Sequence, residues 1–393
     1  MGELFTPAPG TGANQLLGVD AAKASFERAF ARATAAQAAS TSVLVTGTIG
    51  SGKTSLLRWA ASRAEQLGWV TLFVSVHSGI RERMLDDELP RLLIECAGPM
   101  RMSRLSARAA EVLNFSGYAG DSDTASIYEQ IRVLSDLLVE QQRGLFLALD
   151  EAHRDAGEGY DQLLAEVDRA VAEVPNLVVG IGAMPEFTER IFRDRVLRPR
   201  TSEDFVKLGR LSHLEAVELL ERGFAAAGLT VSESSTDLLA RFSAGYAPML
   251  QAMGSVLVDC ASSQLPTQSE LNQAVAFGYR IVHRLYYVRL LRELAAADLR
   301  LLGELAHAGQ RASGDGATVF SAAPLSLIAL ADGMRESADV VRAQLTRLVT
   351  HGVLVLNEAD QAEVALPMLR ESLVSESSRD AVPVRRINEG RRS

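Results

Sequence analysis

With 393 residues, the chain is long enough for two or three domains, each burying its own apolar interior. Its composition of 47% hydrophobic, 23% charged and 6% aromatic residues excludes a disordered or fibrous protein. A net charge of −9 excludes a surface coated in non-specific nucleic-acid affinity.

Cys96 and Cys260 stand far apart with no CxxC or Cys/His cluster, so neither a disulfide framework nor a zinc site is expected and a reducing compartment follows. The first twenty residues lack a basic segment followed by an apolar one, and no apolar run approaches the roughly 18 residues of a membrane span. A cytoplasmic protein with no membrane partner is expected. Met1-Gly2-Glu3-Leu4-Phe5-Thr6 fits the spacing of a myristoylation signal, a pattern short enough to recur by chance. Residues 279–393 hold 15 Arg, no Lys and 14 acidic residues, so the negative excess lies earlier and any nucleic-acid contact is expected in the C-terminal part.

Pro7 to Asn14 is rich in Pro, Gly and Thr and reads as a flexible lead-in to an Ala-rich helix over Ala21–Ala39. Ser42–Thr46 is a short apolar run without alternation, as a parallel strand covered on both faces requires. A Gly-rich loop then leads into a helix over Thr54–Leu67. Strands are predicted at Trp69–His77, Leu145–Leu149, Leu177–Ile181 and Phe205–Leu208, and helices at Arg81–Ala97, Ile127–Gln142, Asp161–Ala172 and Pro185–Val196. Five strands alternating with helices predict an α/β fold, a three-layer αβα sandwich around a mainly parallel sheet. The connection Gly98–Ser126 is long, and its Arg101, Arg104 and Arg108 read as a solvated face.

After Leu211 the strand signal stops. Leu214–Ala227, Glu233–Ser243 and Pro248–Ser262 have helical periodicity and read as a helical lid. Helices at Tyr279–Ala306, Ser321–Ala331 and Ala338–Thr350, the last two separated by Asp332-Gly333, precede two strands within Val353–Leu366. Three helices followed by a hairpin is the order of a winged helix-turn-helix. The tail after Ser377, with Arg385, Arg386, Arg391 and Arg392, is expected to be unstructured. The domains predicted are therefore 1–210, 211–278 and 279–377, with a basic tail over 378–393.

Gly47 to Thr54, GTIGSGKT, has the Walker A form. Glycines at Gly47, Gly50 and Gly52 let the backbone curl so that successive N–H groups face phosphates, and the following helix adds the positive end of its dipole. Gly47, Thr48, Ile49, Gly50, Ser51, Gly52, Lys53, Thr54 and Ser55 are the candidate binding residues: Lys53 for the β- and γ-phosphates of ATP, Thr54 for Mg²⁺, Ser55 near the α-phosphate. The alternative is an ordinary Gly-rich turn. The apolar strand ending in Asp150-Glu151 has the Walker B form: Asp150 is a candidate Mg²⁺ ligand, and Glu151, with Lys53, a candidate catalytic residue that orients or deprotonates the attacking water. A helix cap at Asp150 is the other reading of that strand end. His153 completes the string DEAH, but no QRxGR-like helicase motif lies downstream. Arg190, Arg193, Arg195, Arg198 and Arg200 crowd the segment before the fifth strand; they read either as soluble surface or as the source of an arginine finger.

Together these motifs resemble the AAA+ superfamily, specifically the initiator-like and STAND-adjacent bacterial and archaeal ATPases that join a P-loop domain and lid to a C-terminal winged helix. The resemblance covers most of the chain. It is carried by Leu17-Gly18, VLVTGTIGSGKTS, LFLALDEAH, VVGIGAMPEF, FVKLGRLSHLEAVELL, FSAGYAPMLQAMG and VALPMLRESL. It implies that Leu16–Asp20 approaches the adenine, that Leu177–Ile181 ends in sensor 1, and that a lid helix supplies sensor 2. Three positions depart from the pattern. Gly18-Val19-Asp20 replaces Gly-Arg-Glu; Gly182, Ala183 and Met184 offer no Asn, Ser or Thr; Gly245-Tyr246-Ala247-Pro248 has no arginine and is similar to the Pro turn of STAND-type switches. ATP binding is therefore better supported than fast hydrolysis.

In the winged helix, Ala338–Thr350 would be the recognition helix, with Val340, Val341, Leu345, Leu348 and Val349 inward and Arg342, Gln344, Thr346 and Arg347 outward. Two functions are expected from this sequence. In the first, a Mg²⁺-dependent ATPase uses its nucleotide state to control DNA engagement by the winged helix, alone or as a homo-oligomer with a finger in trans. In the second, a slow STAND-like switch recruits a protein partner, and the winged helix is a protein-contact or autoinhibitory module.

Overall fold

The structure is a computed structural model; it describes residues 5–7, 16, 18–34, 40–101, 126–152, 159–312, 325–356, 361–364, 366 and 369. Leu17, Arg104, Arg108, His153 and the basic tail lie outside these residues. The chain divides into two compact units, one of residues 12–47 and 52–209, the other of 1–11, 48–51 and 210–393. Among the described residues no helix is long and apolar enough to cross a membrane.

The first unit is built on strands β1 (Thr41–Thr46), β2 (Val70–Ser75), β3 (Leu145–Asp150), β4 (Leu177–Ala183) and β5 (Phe205–Lys207). They form one sheet in the order β2-β3-β4-β1-β5, and every pairing is parallel. Helix α1 (Asp20–Thr34), helix α2 (Lys53–Gln66) and the helices Ile127–Glu140, Tyr160–Glu173 and Pro185–Asp194 flank it. Ile80–Arg83 continues through a π-helical turn at Met84–Glu88 into Leu89–Arg101, so the predicted helix runs four residues past Ala97.

The unbroken apolar runs of the strands conceal a period of two. Leu145, Leu147 and Leu149 pack on one face with Leu177, Val179, Ile181 and the helices that carry Leu89, Ile131 and Leu163. Phe146, Ala148, Val178, Val43 and Val45 pack on the other, against Phe26 and Phe30 of α1 and Leu56 and Leu57 of α2. Successive strand side chains point to opposite faces, and because helices cover both faces neither set is polar. This is the expected αβα sandwich.

In the second unit, helices His213–Ala226, Glu233–Ser243 and Ala247–Cys260 lie where helical periodicity places them. The helix Gln268–Val282 was not predicted from periodicity. Its signal was the start: Thr267 and Glu270 form a reciprocal capping box, Thr267 Oγ1 accepting from the Glu270 N–H and the Glu270 carboxylate accepting from the Thr267 N–H. The chain continues through a π-helical turn, His283–Tyr287, into Val288–Glu293, and a break before Ala296–Ala312 divides what periodicity presents as one helix over 279–306.

The helix expected over Ser321–Ala331 starts only at Leu327 and runs to Met334. Ser326 caps it, residues 325–326 form strand β6, and Asp332-Gly333 lies inside it rather than ending it. The next helix is Ala338–Thr350; β7 (Leu354–Leu356) and β8 (Gln361–Val364) follow as an antiparallel pair, with sheet order β6-β8-β7. Two residues of Ala338–Thr350 depart from the expected faces: Gln344 is buried at 4% and Val340 is 44% exposed. The buried stripe is Val341, Gln344, Leu345 and Leu348, the i, i+3, i+4, i+7 face of one helix. Arg342 and Thr346 are exposed, but Arg347 donates to Asp298 at 2.7 and 3.3 Å.

Candidate functional site

Strand β1 ends at Thr46, and Gly47 begins the loop by donating its N–H to the Ala183 carbonyl of β4 at 3.4 Å. Gly50 at φ 77° and Gly52 at φ 96° occupy the left-handed region, where a Cβ is strained. Gly52 is the N-cap of α2 and has no side chain with which to cap it, so the first N–H groups of the helix depend on other acceptors. The Ser51 hydroxyl is buried and finds no hydrogen-bond partner among the described residues. An orphaned buried hydroxyl calls for a polar ligand, and an uncapped helix start fits an oxyanion.

Lys53 is 9% exposed and donates from Nζ to the Gly47 carbonyl at 2.6 Å. Burial pulls its pKa from the ordinary 10.5 down to about 8, against the opposing pull of Glu151 and Asp150. The Met184 sulfur lies 3.8 Å from the same nitrogen. Thr54 Oγ1 donates to Asp150 Oδ2 at 2.7 Å, and Asp150 Oδ1 accepts the Glu151 N–H at 3.0 Å. Burial raises the Asp150 carboxyl above its usual range, while the Thr54 hydrogen bond acts the other way. Glu151 sits in a turn at φ 59°, a left-handed conformation that costs a non-glycine residue on the order of 1–3 kcal/mol and recurs at functional sites. Ser55 follows Thr54 in the first turn of α2.

These neighbours meet because of the strand order. β4 lies between β1 and β3, so the loop after β1 and the carboxylates after β3 flank the end of one strand, at the carboxyl edge where parallel sheets bind ligands. The expected sensor 1 positions fall there without a polar side chain. Thr188, one turn into the next helix, brings a hydroxyl within 3.1 Å of Thr46 Oγ1. Gly182 has a steric role instead: a Cβ there would lie 2.8 Å from Asp150 Oδ1 and 2.9 Å from Leu57 Cδ1. Gly182→Ala is expected to cost about 1–3 kcal/mol of stability through overpacking, measured by denaturant unfolding. An unchanged midpoint would show that Asp150 is not confined by this strand.

A hydroxyl and a carboxylate in direct contact supply oxygen donors for a hard cation. No cluster of three or more His, Cys, Asp or Glu is present among the described residues. That set suits Mg²⁺, which keeps water and phosphate oxygens in its shell, better than a metal needing an all-protein cage.

In the second unit, Ser51 N–H donates to the Thr48 carbonyl at 3.2 Å. The Tyr246 hydroxyl donates to the Ile49 carbonyl at 3.2 Å. Gly352, at φ 69°, comes so close to Thr48 that a Cβ would lie 1.8 Å from the threonine methyl. The Tyr246 and Gly352 contacts were invisible in sequence, although the Gly/Pro turn that carries Tyr246 was recognisable.

Four of the five arginines before β5 are engaged within their own unit. Arg190 pairs with the Asp161 carboxylate and lies over the Phe187 ring; Arg193 pairs with Asp194 at 2.9 Å. Arg198 lies 5.7 Å over Phe192, Arg200 donates to the Val171 carbonyl at 3.2 Å, and Arg195 ends its helix in a left-handed turn.

No protein-family model and no curated protein matches the sequence. Among solved structures, the Walker-type ATPase PABY2304 of Pyrococcus abyssi is similar, with 17% identity, a TM-score of 0.61, and coverage of 94% of this chain and 99% of that one. The Aeropyrum pernix ORC2 protein, in ADPNP-ADP complexes, matches with 12% identity, a TM-score of 0.59, and coverage of 93% and 96%. At these identities the likeness shows the fold alone, a parallel five-stranded sheet flanked by helices.

Proposed function

We propose that this chain is a Mg²⁺-dependent ATP-binding protein that hydrolyses ATP, and that its nucleotide state governs DNA engagement through a winged helix at 279–377, with 1–210 as nucleotide domain, 211–278 as lid and 378–393 as basic tail. The observation that carries the nucleotide reading is the Thr54–Asp150 contact at 2.7 Å beside a buried Lys53. Gly47 to Ser55 would hold the phosphates, Lys53 neutralising the β- and γ-oxygens; Thr54 and Asp150 would hold Mg²⁺, which offsets charge on the phosphates. Glu151 takes a proton from the attacking water as its oxygen bonds to the γ-phosphorus and the bond to the bridging oxygen breaks. A finger from the Arg190–Arg200 segment of a second copy would supply the remaining positive charge.

The DNA reading is supported by the helix–helix–hairpin order and by exposed Arg342 and Thr346. With Arg347 held by Asp298, phosphate contacts would come from few residues, and binding would be weak and salt-sensitive. Anisotropy of a labelled duplex at low salt, with and without ATP and Mg²⁺, tests it; unchanged affinity overturns DNA control.

The close approach of Gly352 to Thr48 favours the second reading, a slow switch that recruits a protein partner. Nucleotide at the loop and the position of the C-terminal helices would then be linked, each biasing the other. Gly352→Val cannot keep both its left-handed backbone and this approach. It is expected to speed release of fluorescent ADP about fivefold or more, the low end of ordinary coupling energies. Unchanged release, or rapid turnover stimulated by DNA, sinks the switch.

A further inference from the structure

Residues Phe5–Pro7 are built into the helices of the second unit. Phe5 is 5% exposed, with its ring 5.4 Å from that of Phe224. Its socket is made by two helix-interior glycines: a Cβ at Gly223 would lie 2.1 Å from the ring, and one at Gly254 2.3 Å. Glycine is a poor helix residue, so each position gives up local stability to admit the ring. The Thr6 N–H donates to Gln251 Oε1 at 2.8 Å, and the Pro7 carbonyl accepts from the Tyr286 hydroxyl at 3.0 Å.

This anchorage leads to the phosphate loop. The Tyr286 ring packs edge-on against Tyr246, centroids 6.3 Å apart, and Tyr287 stacks on Tyr246 at the same distance. The buried Tyr246 hydroxyl donates to the Ile49 carbonyl at 3.2 Å and fills the space beside Gly50, where a Cβ would lie 2.4 Å from its oxygen. A trans peptide is planar, with C=O and N–H pointing oppositely. Fixing the Ile49 carbonyl therefore fixes the Gly50 N–H, one of the donors expected to face phosphates.

We infer that Tyr246 is a positioning residue for the phosphate loop, and that Phe5–Pro7 is a strap that holds Tyr246 in place through Tyr286, so that a segment about forty residues before the loop tunes its affinity for nucleoside triphosphate. The inference rests on the nucleotide reading above. Desolvation raises the Tyr246 phenol far above its ordinary value, so it remains a donor at any physiological pH. The strap acts by removing freedom from the loop before ligand arrives, the usual source of affinity in a preorganised site.

The test uses the full chain, fluorescent ATP and ADP, and thermal unfolding alongside. Tyr246→Phe keeps the ring and loses only the hydroxyl; it is expected to weaken ATP binding about tenfold, as for the loss of one buried hydrogen bond. Phe5→Ala is expected to act in the same direction, and Phe5→Leu to recover most of the loss. Tyr286→Phe, which removes only the bond to Pro7, repeats the test should Phe5→Ala fold poorly. Double variants with Tyr246→Phe should bind no more weakly than Tyr246→Phe alone, since they break the same path. Lower melting temperature with unchanged nucleotide affinity, or additive losses in the double variants, overturns the inference. If the wild-type chain binds no ATP, or Lys53→Ala binds it as tightly as wild type, the nucleotide reading itself fails and takes the strap with it; wild-type binding that Lys53→Ala abolishes and Tyr246→Phe leaves intact overturns the strap alone.

Discussion

Lys53→Ala is expected to bind ATP at least a hundredfold more weakly than the wild-type chain while keeping its fold. Each charge-assisted hydrogen bond from an ammonium to phosphate contributes on the order of 1.5–3 kcal/mol. Contacts to two phosphates therefore exceed the roughly 2.7 kcal/mol that a hundredfold change requires. The fold should survive because the ammonium is costly to bury: desolvation lowers its pKa to about 8, and alanine removes that cost together with the bond to Gly47. Titration calorimetry with ATP and Mg²⁺, beside circular dichroism, checks both halves. An alanine variant with undiminished ATP affinity would remove the phosphate-loop assignment altogether.

Glu151→Gln is expected to retain ATP and lose its hydrolysis, by about 10²–10⁴-fold if Glu151 is the base. Glutamine matches glutamate in shape and accepts hydrogen bonds, but its amide takes no proton from water at neutral pH. The substitution leaves the backbone turn at φ 59° occupied by a residue of similar size, so geometry and charge are separated. Single-turnover hydrolysis and chromatography of the nucleotide retained after gel filtration measure the two effects. Equal rates in the variant and the wild type would assign Glu151 a structural role in the turn.

The Gly47–Thr54 pattern was legible because its constraints are local: glycines where the backbone turns left-handed, at Gly50 and Gly52, with a lysine and a hydroxyl residue at fixed spacing. Asp150 and Glu151 were legible as an apolar run ending in carboxylates, with a helix cap at Asp150 as the other reading of that strand end. The Thr54–Asp150 hydrogen bond at 2.7 Å joins residues 96 positions apart, and only the placement of β4 between β1 and β3 brings them together. Gln344 was misplaced because a polar residue normally marks a solvent face, whereas here its helix turns that position inward. The helix Gln268–Val282 was missed because its buried stripe is weak, with Ala274 and Gly278 between Leu271 and Val282, and its clearest mark, the Thr267–Glu270 capping box, is a boundary signal rather than a periodic one.

Thus the amino-acid sequence by itself determined the alternation of strands and helices, the glycine turns after β1 and the two carboxylates at the end of β3, since burial on both sheet faces and left-handed backbone turns each leave a local pattern of residue types. Strand order, the confinement of Asp150 by Gly182, the pairing of Arg347 with Asp298, and the path from Phe5 to Tyr246 were decided only by tertiary structure. Each depends on packing between segments distant in the chain, and close packing selects partners by shape and position, for which single residues carry no signature.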